Sequence, residues 1–130
     1  MKKLFTVALT LLSISAFASD SLSNLAAGST LTVAKDIVIP AGEYHYSLSE
    51  NCYLNMTATA ASERVIPAGT VLTVKAAESK AFRQQNTHNN IFVDAIDVNV
   101  IGCISKYRSD MTVLEFTKAV KNVLELQIAE

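Results

Sequence analysis

Apolar and polar positions alternate along most of the chain from residue 30 onward. A period of two puts successive side chains on opposite faces of an extended backbone, so each alternating run reads as a strand with one buried face. Residues 30–34 and 36–39 are short β-branched runs. Residues 43–49 alternate strictly, with Tyr44, Tyr46 and Leu48 on one face and His45, Ser47 and Ser49 on the other. Residues 52–59 place Cys52, Leu54 and Met56 together, and 64–66 and 70–76 follow as further β-rich runs. Residues 91–95 and 97–105 add two more; in the second, Val98, Val100 and Gly102 share one face and Ile101 and Cys103 the other.

The period changes near the C-terminus. Val113, Phe116 and Val120 recur at helical spacing, with Lys118 and Lys121 opposite. Thr112 followed three residues later by Glu115 forms a capping box, so a helix of about 12 residues is expected there. Leu124, Leu126 and Ile128 then alternate again as a final strand. Many short strands, a single late helix and no βαβ alternation predict a mainly β fold. The expected architecture is a small antiparallel β-sandwich or barrel with one C-terminal amphipathic α-helix followed by a final strand.

One internal echo cuts across this pattern. Residues 36–42, Asp-Ile-Val-Ile-Pro-Ala-Gly, match residues 63–69, Glu-Arg-Val-Ile-Pro-Ala-Gly. Pro suits the first corner of a tight turn and Gly its exit, so the echo predicts two similar type I turns, each joining a short strand to the next. Two copies are too few for a solenoid. Paired hairpins of one sheet system, or merely shared turn chemistry, both account for it.

The first residues have a different character. Lys2 and Lys3 precede an apolar stretch, 4–14, that carries no charge, and Ala16-Phe17-Ala18 offers the small-x-small pattern of a cleavage site. This is the form of a secretory signal peptide, residues 1–18, removed after Ala18. The apolar run falls short of the roughly 20 residues that span a bilayer as a helix, so no stable membrane insertion is expected after cleavage. Residues 19–29, rich in Ser, Ala, Gly and Asn, read as a flexible leader, and 30–130 as a single β-rich domain.

Charge narrows the partners. Removing the signal takes away two of the 11 Lys and Arg residues and none of the 12 Asp and Glu. An acidic chain without a basic stripe is not the pattern of a nucleic-acid binder, nor of a protein that docks electrostatically on anionic lipid. Cys52 and Cys103 are the only cysteines. In an oxidising compartment such a pair forms a disulfide, and no Cys-x-x-Cys spacing points to redox catalysis.

Candidate chemistry is sparse. His45 and His88 stand far apart in sequence, and only Glu43 lies near His45, on the same strand face. No zinc-protease, phosphate-loop or nucleophile-elbow motif is present, so no cofactor, metal or catalytic residue is assigned. Two segments read as contact surfaces. The first, Arg83, Gln84, Gln85, Asn86, His88, Asn89 and Asn90, is an amide-rich connection between the runs 70–76 and 91–95. The second is Tyr107 with Arg108, residue types favoured at interfaces. Tyr44, Tyr46 and Tyr53 form either an exposed aromatic strip or a set of core and cross-strand rings. The expected function is a non-catalytic binding or accessory module of a bacterial cell envelope, periplasmic or secreted. Its ligand would be a protein, such as an enzyme it inhibits, or a cell-wall polymer. A hydrolase using His45 or His88 with a nearby carboxylate, and a self-assembling structural subunit, are the alternatives; the oligomeric state is left open.

Overall fold

The computed structural model describes residues 19–82, 85–106 and 109–129. The expected signal segment, and with it the cleavage site, lies outside them. The strands are β1 (Thr30–Val33), β2 (Ile37–Ile39), β3 (His45–Ser47), β4 (Cys52–Met56), β5 (Arg64–Ile66), β6 (Val71–Phe82), β7 (Asn86–Asp94), β8 (Val98–Lys106) and β9 (Leu124–Gln127). One α-helix, α1 (Val113–Val120), precedes β9. Seven strands form one curled antiparallel half-barrel in the order β3-β4-β8-β7-β6-β1-β9, and β2 pairs separately with β5. The mainly β architecture with one late helix and a final strand is thus the one expected from alternation.

The centre of the sheet is the meander β6-β7-β8. Here sequence and structure part. The amide-rich segment expected to be a solvated connection is most of strand β7, paired along its length with β6 and β8. The signal was hidden because its inward positions are polar. Thr87 and Asn89 are buried alongside Ile91 and Val93, so the strand alternates in burial without alternating in hydropathy.

Two irregularities bend the sheet. The register shifts between Val74 and Ala76 opposite β7, and again where Met56 pairs with Val98 but Asn55 with Val100. Each leaves one extra residue, Lys75 or Asn99, on the bulged strand; bulges increase local twist and help a sheet curl. The second also resets alternation in β8. Val98 joins Ile101 and Cys103 in the core, whereas strict alternation had placed Val98 with Val100 on the opposite face.

The inner face carries one continuous apolar cluster in which Leu31, Leu54, Leu72, Ile91 and Ile101 meet Phe116 of the helix. The helix is capped as expected: Glu115 N–H donates to Thr112 Oγ1 at 3.1 Å and Thr112 N–H to Glu115 Oε1 at 2.9 Å. Residues 19–29 are not a loose leader. Leu22, in a short 3-10 turn, and Leu25 are buried in the same cluster. Leu22 N–H donates to Met111 C=O at 2.7 Å and Val113 N–H to Asp20 C=O at 2.9 Å, which ties the segment to the start of α1. Two leucines spaced by three are too few to stand out among small residues, but they suffice to anchor a turn.

The echo resolves into a ribbon. Its two copies pair with each other, Ile37 with Ile66, Val38 with Val65 and Ile39 with Arg64, so Val38–Val65 sits on a local pseudo-two-fold. Ile37, Ile39 and Ile66 face the core while Val38 and Val65 face out. Both turns close through the Pro carbonyl, Glu43 N–H to Pro40 C=O and Thr70 N–H to Pro67 C=O, each at 3.1 Å. Gly42 and Gly69 have φ of 79° and 91°. These are type II turns with Gly at the third position, where a positive φ is required, rather than type I turns with Gly at the exit.

Cys52 and Cys103 form the expected disulfide, with Cα atoms 4.1 Å apart. They face each other directly across β4 and β8. The neighbouring pair is hydrogen-bonded, Ile104 N–H to Asn51 C=O at 2.9 Å, so the cysteines occupy the closer, non-hydrogen-bonded kind of site.

Candidate functional site

Strand alternation divides the amide-rich segment in two. Gln85 is exposed in the β6–β7 connection, and Asn86, His88 and Asn90 lie half-buried on the outer face of β7. Asn89 points inward and is 0% exposed, so it is not a ligand contact. Its Oδ1 accepts from Ser79 Oγ at 2.7 Å and from Met111 N–H at 3.0 Å. Its Nδ2 donates to Ser105 Oγ at 2.9 Å and Cys103 C=O at 3.2 Å, with Thr87 C=O further off at 3.4 Å. One amide thus joins β6, β7, β8 and the segment leading into α1. A buried amide is stable only with its hydrogen bonds made, and here the surrounding strands make them. Arg83, Gln84, Tyr107 and Arg108 lie outside the described residues.

The outward residues belong to a wider surface assembled by register. Glu78, Asn90, Gly102 and Tyr53 stand in one row across β6, β7, β8 and β4. Lys80 and His88 stand in the row on one side of it, and Asn55 pairs with His45 on the other. Tyr53 reaches over Gly102: a Cβ at that glycine would fall 2.4 Å from Tyr53 Cζ. An unbranched backbone therefore makes the seat on which the ring lies. Burial raises the Tyr53 phenol above its ordinary pKa, so the hydroxyl keeps its proton further into the alkaline range than a free tyrosine does. The His45 imidazole stacks on Tyr53 with centroids 5.0 Å apart. Its Nδ1 lies 2.9 Å from Asn55 Oδ1, an oxygen that can only accept, so Nδ1 carries the proton and Nε2 is left to the surface. Asn90 Nδ2 donates to Glu78 at 3.4 Å, and Lys80 Nζ lies 3.8 Å from the same carboxylate.

The result is a band of stacked rings, amides and a carboxylate on a sheet clamped by a disulfide. Sequence reading singled out Asn90 and His88 but not Tyr53 with Gly102, although an antiparallel pairing of Cys52 with Cys103 sets Tyr53 opposite Gly102. A glycine inside a strand, which marks a bulge or a close approach, was the available signal. As to catalysis, His45 hydrogen-bonds an amide rather than a carboxylate. Among the described residues no group of three or more His, Cys, Asp or Glu is placed to hold a metal ion.

Two concavities lie away from this band. A cavity of about 50 Å³ between the leader and α1 is lined by residues such as Asp20, Leu25, Val113 and Ile128. An open cleft of about 370 Å³ lies where the β7–β8 tip, Ile96 and Asp97, meets Met56, Arg64, Ile66 and Thr70. Among the described residues no helix is long and apolar enough to cross a membrane. Comparison with known protein families, characterised proteins and solved structures finds no match, so the reading of this chain rests on its own geometry.

Proposed function

We propose that this chain is an exported, non-catalytic binding or accessory module of a bacterial cell envelope, periplasmic or secreted. It engages a protein or cell-wall polymer through the outer face of β7, β8, β4 and β3. The observation that carries the reading is the band centred on Tyr53 over Gly102, with His45 stacked on it and Asn90 and Glu78 beside it. Aromatic rings give large contact area at small entropic cost, and the amides and carboxylate give direction. A disulfide-linked sheet holds them in place before the partner arrives, which lowers the ordering cost of binding. The disulfide also supports an oxidising compartment, in keeping with the signal-like segment 1–18.

The test is co-sedimentation of oxidised protein starting at Ser19 with two probes, purified peptidoglycan sacculi and an envelope protein extract. The Tyr53→Ala, Asn90→Ala double variant runs in parallel. Saturable retention by one probe, lost in the variant while its thermal unfolding is unchanged, is the expected result. Equal retention of variant and wild type, or none above an unrelated acidic β-protein, overturns the reading.

A further inference from the structure

The open cleft at the β7–β8 tip carries chemistry that the outer face does not use. Arg64 stands opposite Ile39, on the inward side of the ribbon. Its Nη2 donates to Glu43 C=O at 2.9 Å. Its Nε is shut off from water and has no hydrogen-bond partner among the described residues. That nitrogen is as closed to a ligand as it is to water, so what Arg64 brings to the cleft lining is the charge of its guanidinium.

Asp97 lines the same cleft as Arg64, and no ion pair joins the two side chains. Asp97 is also the one non-glycine residue of positive φ, 69°, among the described residues. Its carbonyl accepts from Thr57 N–H at 2.7 Å, which fixes the hairpin tip against the end of β4. Backbone held in this region concentrates at functional sites. Beside it, Ile96 is 91% exposed and Val65 48%, while Met56 and Ile66 are buried at the base. Ile96, Val65, Met56 and Ile66 give the cleft an aliphatic lining beside the two charged groups.

A cation and an anion that do not satisfy each other, set among aliphatic side chains, are complementary to a zwitterion with an apolar body. We infer that the cleft binds an aliphatic amino acid, free or as a dipeptide. Its carboxylate is taken by Arg64, its ammonium by Asp97, and its side chain lies against Met56, Ile66 and Ile96. A volume of about 370 Å³ falls at the lower end of the roughly 300–1,000 Å³ of small-molecule sites, as a ligand of this size requires. Guanidinium suits a carboxylate by its forked donors, and partial enclosure strengthens both charge contacts relative to water.

The experiment is an amide-resolved NMR titration of the oxidised protein with leucine and with leucyl-leucine. Two half-ligands serve as controls: 4-methylpentanoate lacks the ammonium and isopentylamine lacks the carboxylate. Expected are saturable shifts confined to residues 56, 64–66 and 96–97 with at least one zwitterion, and weaker binding of both half-ligands. Whichever zwitterion binds tighter identifies the source. Asp97→Asn, which keeps a residue tolerant of positive φ, should weaken the zwitterion by about tenfold and leave 4-methylpentanoate unchanged. Arg64→Gln should show the reverse selectivity, sparing isopentylamine. The inference is overturned if neither zwitterion produces saturable shifts at millimolar concentration, if the shifts map elsewhere, or if a half-ligand binds as tightly as the zwitterion. The outer-face band is untouched by these variants, so a negative result here leaves the partner-binding proposal standing.

Discussion

Replacing Asn89 by Ala separates a structural amide from a contact amide within one strand. The substitution removes four hydrogen bonds of 2.7–3.2 Å from a side chain that is fully buried. The partners do not recover equally. Ser79 and Ser105 can turn their hydroxyls, and Ser105 already donates to Ser109 C=O. Met111 N–H, in a residue only 8% exposed, loses its acceptor outright. Net hydrogen bonds are worth about 1 kcal/mol each, and a buried group left unpaired costs about 1–3 kcal/mol. Allowing for the hydroxyls that re-pair, the loss is about 3–4 kcal/mol. Asn90→Ala, one residue on but facing out, should stay within about 0.5 kcal/mol of wild type. Urea unfolding followed by circular dichroism measures both. At a slope of about 1.5 kcal/mol/M the Asn89→Ala midpoint falls by about 2 M while the slope holds. Asn89→Asp adds a sign test. Its second oxygen would face the Cys103 carbonyl where Nδ2 had donated, so burial and that acceptor raise the new carboxyl's pKa in the native state. A raised native pKa means that the native state binds more protons, and stability should then fall as pH rises through it. If Asn89→Ala and Asn90→Ala unfold together, or Asn89→Asp is most stable at neutral pH, the hub assignment is wrong.

Three further outcomes are expected. Reducing the disulfide, which spans 51 residues, should lower stability by about 4 kcal/mol on the chain-entropy account; an unchanged denaturation midpoint with reductant would count against it. Gly102→Val puts a side chain where the Tyr53 ring lies and should push the ring into solvent. The Tyr53 phenol, now held above its ordinary pKa by burial, would then titrate at lower pH in an ultraviolet phenolate titration. In the wild type the same raised pKa makes the native state lose stability as pH climbs through it. Gly69→Ala forces a positive φ on a residue with a side chain and should cost about 1 kcal/mol in thermal unfolding; equal stability would refute the type II assignment.

Most of the fold was legible because most of the sheet alternates in hydropathy. The strand Cys52–Met56, the capped helix and the final strand appear where the pattern puts them. The pattern fails where polar groups face inward. Asn89 bonds Ser79 and is buried beside Thr87, which period-two reading of apolar residues cannot detect. It fails again at Val98, because a bulge is an extra residue and leaves no mark in composition. The echo was visible, but that its copies pair with each other was not, since a repeat carries no information about partners. The site was the least legible part. Tyr53, Gly102, Asn90 and Glu78 are scattered from residue 53 to 102 and meet only through the order β6-β7-β8-β4. Arg64 and Asp97 come together through the placement of a separate ribbon against a hairpin tip.

The position of the disulfide has a consequence for survival among proteases. The bond closes a covalent ring that contains β5, β6 and β7 and the exposed tip at Ile96. Exposed hairpin tips are where chains are nicked first. A cut there leaves two fragments that remain one molecule, linked through sulfur and still laced by the sheet. Such a molecule migrates as a single species until reductant is added and only then falls into two pieces. Proteolytic clipping at this exposed tip is thereby uncoupled from disassembly.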